Sequence, residues 1–166
     1  QRAEPIPAAR QRDVRLDVER VAGADRGRVL GEPSDRLGDE GVLAFVTNRS
    51  FLNTRTFDGF RKLIVNDFQD IWVVDLGGDV RTNPKLSGTT HNVFGIQTGV
   101  AIAFLVRKKS KSNCAIHYGR RPEMETGENK LSFLASARLS DAAPDLLKPN
   151  GRGDWISDLN FQTPDL

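Results

Sequence analysis

Two short apolar runs bracket an amphipathic stretch, and this pattern restricts the chain to a small set of folds. Gly41-Val-Leu-Ala-Phe-Val-Thr47 and Ile71-Trp-Val-Val-Asp-Leu76 are short for helices and lack the alternation of a half-exposed strand. Both suit buried parallel strands covered on two faces. Between them Phe57, Phe60, Leu63, Ile64 and Phe68 fall on one helical face, with Asn53 or Thr54 as the N-cap. Strand, helix and strand together span about 35 residues, the length of a right-handed parallel crossover. Gly77-Gly78 ends the second run.

Residues 77–98 are polar and rich in Gly, Thr and Asn, and a loop of this length in a compact domain is usually functional or disordered. It leads to Gly99-Val-Ala-Ile-Ala-Phe-Leu-Val106, the most apolar strand. Lys108-Lys-Ser-Lys-Ser-Asn113 reads as a turn and Cys114-Ala-Ile-His-Tyr118 as a further strand, so the two pair as an antiparallel hairpin at a sheet edge. A helix is expected over 125–139, with Leu131, Leu134 and Ala135 on one face, before Pro144, Pro149, Gly151 and Gly153 break the pattern. The fold class is α/β: a parallel β-α-β unit followed by an antiparallel hairpin, or half of an open sheet. Such sheets bind ligands at the carboxyl ends of their strands, here Thr47-Asn48-Arg49-Ser50 and Asp75-Leu-Gly-Gly-Asp79.

The first forty residues differ from the rest. They hold eight Arg and nine acidic residues but no Lys and no aromatic side chain, whereas all nine Phe, both Trp and the Tyr come later. Such a segment has little with which to build a core. Residues 1–33 are therefore expected to be disordered or loosely helical, with a boundary near Ser34. In a chain of 166 residues this leaves one ordinary domain or a piece of a larger one.

Charge is unevenly placed. Residues 80–122 contain eight basic side chains and no acidic one, while the remainder carries 16 basic and 22 acidic side chains. A basic block in an otherwise acidic chain points to a polyanion partner, or else to a solvated basic turn. No apolar stretch approaches the roughly 18 residues of a membrane span. The N-terminus also lacks the apolar run of a signal peptide. A cytoplasmic location is expected. Cys114 is the single cysteine, which excludes an internal disulfide and a Cys-rich zinc site. His91 and His117 are too few to suggest a metal centre.

The segment Ser34-Asp-Arg-Leu-Gly-Asp-Glu-Gly-Val-Leu-Ala-Phe-Val-Thr-Asn-Arg-Ser-Phe-Leu52 resembles the later part of the methyltransferase domain of type ISP single-chain restriction–modification enzymes. So do Thr56-Phe-Asp-Gly-Phe-Arg-Lys62, Asp75-Leu-Gly-Gly-Asp-Val-Arg-Thr82 and Asn92-Val-Phe-Gly-Ile-Gln-Thr-Gly-Val-Ala-Ile102. Arg120-Arg-Pro-Glu-Met-Glu125 and Gly151-Arg-Gly-Asp-Trp-Ile156 are similar to the junction into the specificity domain. The resemblance covers about 34–166. It implies a partial Rossmann-like class I methyltransferase sheet over 34–121, then a helical linker and the start of the specificity domain over 122–166. It also implies an adenine-N6 DNA methyltransferase that uses S-adenosylmethionine, with double-stranded DNA as partner and nuclease, helicase-like and specificity domains in the parent enzyme.

The family's Asn/Asp-Pro-Pro-aromatic motif, which holds the target amine, is missing: Asn83-Pro84 is followed by Lys85. The glycine-rich cofactor motif is also absent. No catalytic residue, cofactor or metal is therefore expected in this chain, and catalysis by the chain alone is not expected. One explanation is a truncated or frame-shifted reading frame, with 1–33 out of frame. The alternative function is a non-catalytic remnant with weak, salt-sensitive DNA binding, and a third is a module that completes a separate N-terminal half.

Adenine in a duplex must be flipped out before its amine is methylated. Phe94 lies where the resemblance implies an aromatic that stacks on the flipped base; otherwise it is a core Phe plugging the loop. Thr47, Asn48 and Ser50 either line the base pocket or form a helix-capping network. Arg107, Lys108, Lys109 and Lys111 are the expected phosphate contacts, which position DNA without reading its sequence. Asp75 and Asp79 read either as an acid–base pair or as turn residues, and Trp155 as a packing anchor of the next domain.

Overall fold

The computed structural model describes residues 37–156, apart from 81, 82, 84, 87 and 111. The expectations for 1–33 and for Lys111 lie outside the described residues. The chain forms β1 (Gly41–Asn48), α1 (Asp58–Asp67), β2 (Asp70–Gly77), β3 (Val100–Arg107), β4 (Ala115–Arg120), α2 (Gly127–Ser136), α3 (Leu139–Ala142) and β5 (Asp145–Leu147). Two 3₁₀ turns, Arg49–Leu52 and Arg55–Phe57, lead from β1 into α1.

The five strands make one mixed sheet in the order β1-β3-β2-β4-β5. β3 runs antiparallel to both β1 and β2, so β1 and β2 point the same way without touching. β4 pairs parallel with β2, and β5 closes antiparallel on β4. The expected strand–helix–strand unit is present, but its two strands are separated by the returning β3. The expected hairpin of 99–106 with 114–118 does not form, because β3 and β4 lie on opposite sides of β2. Pairing β3 between two strands that run the other way satisfies both of its edges.

The faces of the sheet bury two separate sets. Phe45, Ile71, Val73, Ala101, Ala103, Leu105, Ile116 and Tyr118 pack against Phe51, Leu52, Ile64 and Phe68 from the 3₁₀ turn and α1. Trp155 joins this same core, edge-on to Phe51 with ring centroids 6.3 Å apart. It therefore anchors residues 150–156 to this sheet. On the other face Val74 and Leu76 pack with Ala142, Ala143, Phe133 and Leu134 of α2, α3 and their flanks.

Helix α1 departs from the expected face. Leu63 is exposed, and buried Arg61 takes the inward position beside Ile64. Its guanidinium donates to the carbonyls of Phe51 (2.9 Å), Thr54 (3.0 Å) and Gly153 (3.2 Å), and it pairs with Asp58 and Asp154. An arginine so fully bonded is as much a core residue as a leucine. Asp154 is thus tied into the fold. α2 is shorter than expected because Thr126 caps it, its Oγ1 accepting from Asn129 N–H at 3.2 Å. Leu131 and Ala135 point outward; Lys130, Phe133 and Leu134 face in.

β1 is less covered than its composition suggests. Phe45 alone in it is buried, whereas Val73, Val74, Asp75, Leu76 and Gly77 of β2 are all buried. β1 is an edge strand, and among the described residues none pairs with its outer side.

Candidate functional site

The carboxyl ends of β1, β2 and β4 lie together, because these strands run in one direction. At their centre is Asp75, fully buried after the apolar run Ile71–Val74 of β2. A carboxylate there is tolerable only if it is fully bonded. Arg49 clasps it in a fork: Nη2 to Oδ2 is 2.8 Å and Nε to Oδ1 is 3.0 Å. Tyr118 O–H donates to Oδ2 at 2.9 Å and Gly77 N–H to Oδ1 at 2.9 Å. Burial opposes the charge on Arg49, but its hydrogen bonds and attraction to Asp75 outweigh this and raise its pKa. Burial, with the charge of Asp75, pushes the Tyr118 phenol well above its ordinary range. With Asp75 committed to Arg49, the triad locks β1, β2 and β4 together, and Asp75 is not half of an acid–base pair.

Above this lock sits the loop between β2 and β3, organised by Asn92. Its buried side-chain amide donates to the carbonyls of Thr98 (2.8 Å) and Gly78 (3.3 Å). Its Oδ1 accepts from Phe94 N–H at 2.9 Å and Ile96 N–H at 3.4 Å. One side chain thus closes the loop at both ends and fixes the turn at its tip. Gly78 permits the close approach: its φ is +77°, and a Cβ there would lie 2.8 Å from the His91 carbonyl oxygen.

Phe94 is 58% exposed and Ile96 44% exposed at this tip. Phe94 is therefore not a core plug; the loop turns its ring outward. Asn48 and Ser50 engage each other: Asn48 Oδ1 accepts from Ser50 N–H at 2.8 Å and from Ser50 Oγ. This is the capping network of the first 3₁₀ turn. Thr47 is half-buried opposite Ala101 in β3. All four residues expected at the target base thus share the carboxyl end of the sheet.

Of the residues expected on phosphates, Arg107, Lys108 and Lys109 lie at the other end. β3 runs from Val100, beside Asn48, to Arg107, beside Gly41. Its eight residues separate the two groups by about 23 Å at strand rise. Arg107 is used internally, donating to the carbonyls of Gly38 (3.1 Å) and Asp67 (3.3 Å) with its guanidinium over Phe68. Lys108 pairs with Asp70, and its backbone N–H donates to Gln69. Lys109 is exposed.

Two residues that organise the site had no functional reading in the sequence. Asn92 carries no pattern of its own beyond preceding Val93-Phe94. Lys130 looks like any surface lysine on a helix, yet it is fully buried, and its Nζ donates to the His91 carbonyl at 2.8 Å. Burial lowers its pKa, opposed by the charges of Glu123, Glu125 and Asp75. For Asp75 the sequence supports only an acid–base or turn reading, and its ion pair with Arg49 emerges from the structure.

Among the described residues no group of His, Cys, Asp or Glu has the arrangement of a metal site, and no helix is long and apolar enough to cross a membrane.

The chain is similar, in fold and in sequence, to segments of DNA-bound type ISP restriction–modification enzymes. One is the ATP-dependent enzyme LlaBIII bound to DNA, with a TM-score of 0.69 and 31% identity over 80% of this chain and 9% of that one. Another is a nuclease-deletion mutant of LlaGI with a DNA substrate mimic, with a TM-score of 0.65 and 29% identity over 77% of this chain and 12% of that one. A DrdV–DNA complex matches with a TM-score of 0.69 and 36% identity over 78% of this chain and 13% of that one. The chain thus spans about a tenth of the length of the structures it matches. No protein-family model and no curated protein matches it.

Proposed function

We propose that this chain is the part of a type ISP restriction–modification enzyme in which an adenine-N6 DNA methyltransferase domain receives its target base and passes into the specificity region. Residues 34–121 would form the later half of a Rossmann-like class I methyltransferase sheet, and 122–166 the linker and start of the specificity domain. The observation that carries this reading is Phe94: a 58% exposed aromatic held at the carboxyl end of the sheet by Asn92. The sequence identity to DNA-bound enzymes supports it.

In this reading Phe94 stacks on a flipped adenine, with Thr47, Asn48 and Ser50 at the pocket's edge. Lys109, with the other basic residues of the turn after β3, meets phosphates. Among the described residues, the polar groups at this end do not fit S-adenosylmethionine: Arg49 and Asp75 beneath the loop, and Asn92 within it, are bonded to the protein itself. The cofactor is assigned to the intact parent enzyme, and no methyl transfer is assigned to this chain alone.

The test is binding of the full chain to two duplexes, one fully paired and one with a bulged adenine. Base–aromatic stacking contributes about 1–3 kcal/mol per base. Phe94→Ala should therefore weaken binding to the bulged duplex between about 5-fold and 150-fold, with little change on the paired one. Equal affinities of wild type and variant for the bulged duplex would remove Phe94 from the base site. No binding to either duplex at low salt would remove DNA contact by this chain altogether.

A further inference from the structure

The loop that carries Phe94 is held from outside as well as from within. Gly127 N–H donates to the Thr90 carbonyl at 2.8 Å, Lys130 Nζ to the His91 carbonyl at 2.8 Å, and His91 Nδ1 lies 3.2 Å from the Glu125 carbonyl. Arg121 in turn grips the Glu125 carboxylate with two bonds of 2.6 and 2.8 Å. The approach is so close that a Cβ on Gly127 would lie 2.7 Å from the Asn92 carbonyl oxygen. Three consecutive loop residues, ending at the Asn92 anchor, therefore rest on the first turn of α2 and the bend before it.

Lys130 is the least economical part of this contact. A helix lysine ordinarily sends its ammonium to water along a flexible stem. Here the ammonium is buried and directed at a backbone carbonyl, under the charges of Glu123, Glu125 and Asp75 and against that of Arg121. Burying a charge costs stability, and an apolar residue of similar length would fill the space without that cost. The amine supplies a bond to the base loop that no apolar side chain can make.

We propose that Lys130 is a positioning residue: it clamps the loop bearing Phe94 to α2, so that the base-contacting tip and the segment beginning at residue 122 move as one body. This rests on the reading of Phe94 as a base contact. If 122–166 opens the specificity region, the clamp transmits the placement of that region to the loop that meets the base.

The test has two arms, both on the full chain carrying Lys130→Met. The first is hydrogen exchange without DNA. The Phe94 and Ile96 amides, which donate to Asn92, should exchange at least tenfold faster, while amides in the centre of β2 are unchanged. Unchanged exchange at Phe94 overturns the clamp. The second arm is affinity for the bulged-adenine duplex. Lys130→Met should weaken it about tenfold in the wild-type background and not at all on top of Phe94→Ala, because a positioning residue acts through the residue it positions. Additive losses overturn the proposal. If Phe94→Ala itself has no effect, the base-contact reading fails, while the exchange arm still decides whether Lys130 holds the loop. Should the Met variant not fold, Lys130→Gln removes the charge and shortens the reach, with the same expectations.

Discussion

The two ends of the sheet use their charges in opposite ways. At the carboxyl end of β1, β2 and β4, Arg49, Asp75, Asn92 and Lys130 bond to one another or to backbone, and what they hold outward is an apolar tip, Phe94 and Ile96. At the amino end the chain displays the charges themselves: Lys108 pairs with Asp70 at a half-open site, and Lys109 extends into solvent. A buried polar group is retained only when fully bonded, so the first end is rigid by construction. An exposed pair is screened by water and gives little stability, so the second end is free to trade its partners for another anion. Counting basic residues along the chain cannot separate these cases, because the count treats Arg107, bonded to Gly38 and Asp67, as equal to Lys109.

The largest expected effect tests the rigid end. Asp75→Ala leaves the Arg49 guanidinium and the Tyr118 hydroxyl without their partner beneath the loop. Breaking one side of a buried ion pair costs about 3–5 kcal/mol. Lys108→Ala, at the open end, should cost at most about 1 kcal/mol. Urea unfolding of both variants gives the comparison directly. Similar losses in the two would erase the distinction between the ends.

How much of this was visible beforehand follows from the same physics. β1, α1, β2 and β3 were legible because runs of apolar residues state their period locally. The order of strands was not. The 77–98 connection is long enough to reach either side of β2, and the placement of β3 between β1 and β2 depends on which strand edges need partners, a property of the whole sheet. For the same reason the 41–47 run read as doubly covered, although β1 lies at an edge with only Phe45 buried. In α2 the apolar residues Leu131 and Ala135 misled, because Lys130 takes an inward place that apolar patterning assigns to a hydrophobe. At the site, Phe94 came from resemblance, and the 47–50 segment and Asp75 from their place at strand carboxyl ends; the ion pair of Asp75 with Arg49, 26 residues away, has no local signal. Asn92 and Lys130 act on backbone carbonyls distant in sequence, and no local pattern reports such a bond.

A smaller effect sharpens the open end. If Lys109 meets a phosphate, Lys109→Gln should reduce the dependence of log affinity on log salt by about 0.9. Its stability should stay within about 0.5 kcal/mol of wild type, since an exposed side chain has little to lose. Titrating DNA binding from low to moderate salt measures the slope. An unchanged slope would confine the interface to the carboxyl end and leave the turn after β3 as a solvated feature.

The smallest effect concerns Cys114, just before β4 at the open end of the sheet. Burial, with the nearby charge of Asp70, pushes its thiol from 9.0 up to about 11. The thiolate is the nucleophile, so alkylation of the folded chain should keep accelerating past pH 9 and level off near pH 11. The sign for stability follows. The neutral thiol is favoured in the fold, so its contribution is whole below pH 9. That contribution is lost as pH rises from 9 through about 11, where the unfolded chain has already released the proton. A rate that levels off at pH 9 would show Cys114 in contact with water and out of reach of Asp70. The amino end would then be looser than its strand pairing implies, widening the difference between the two ends.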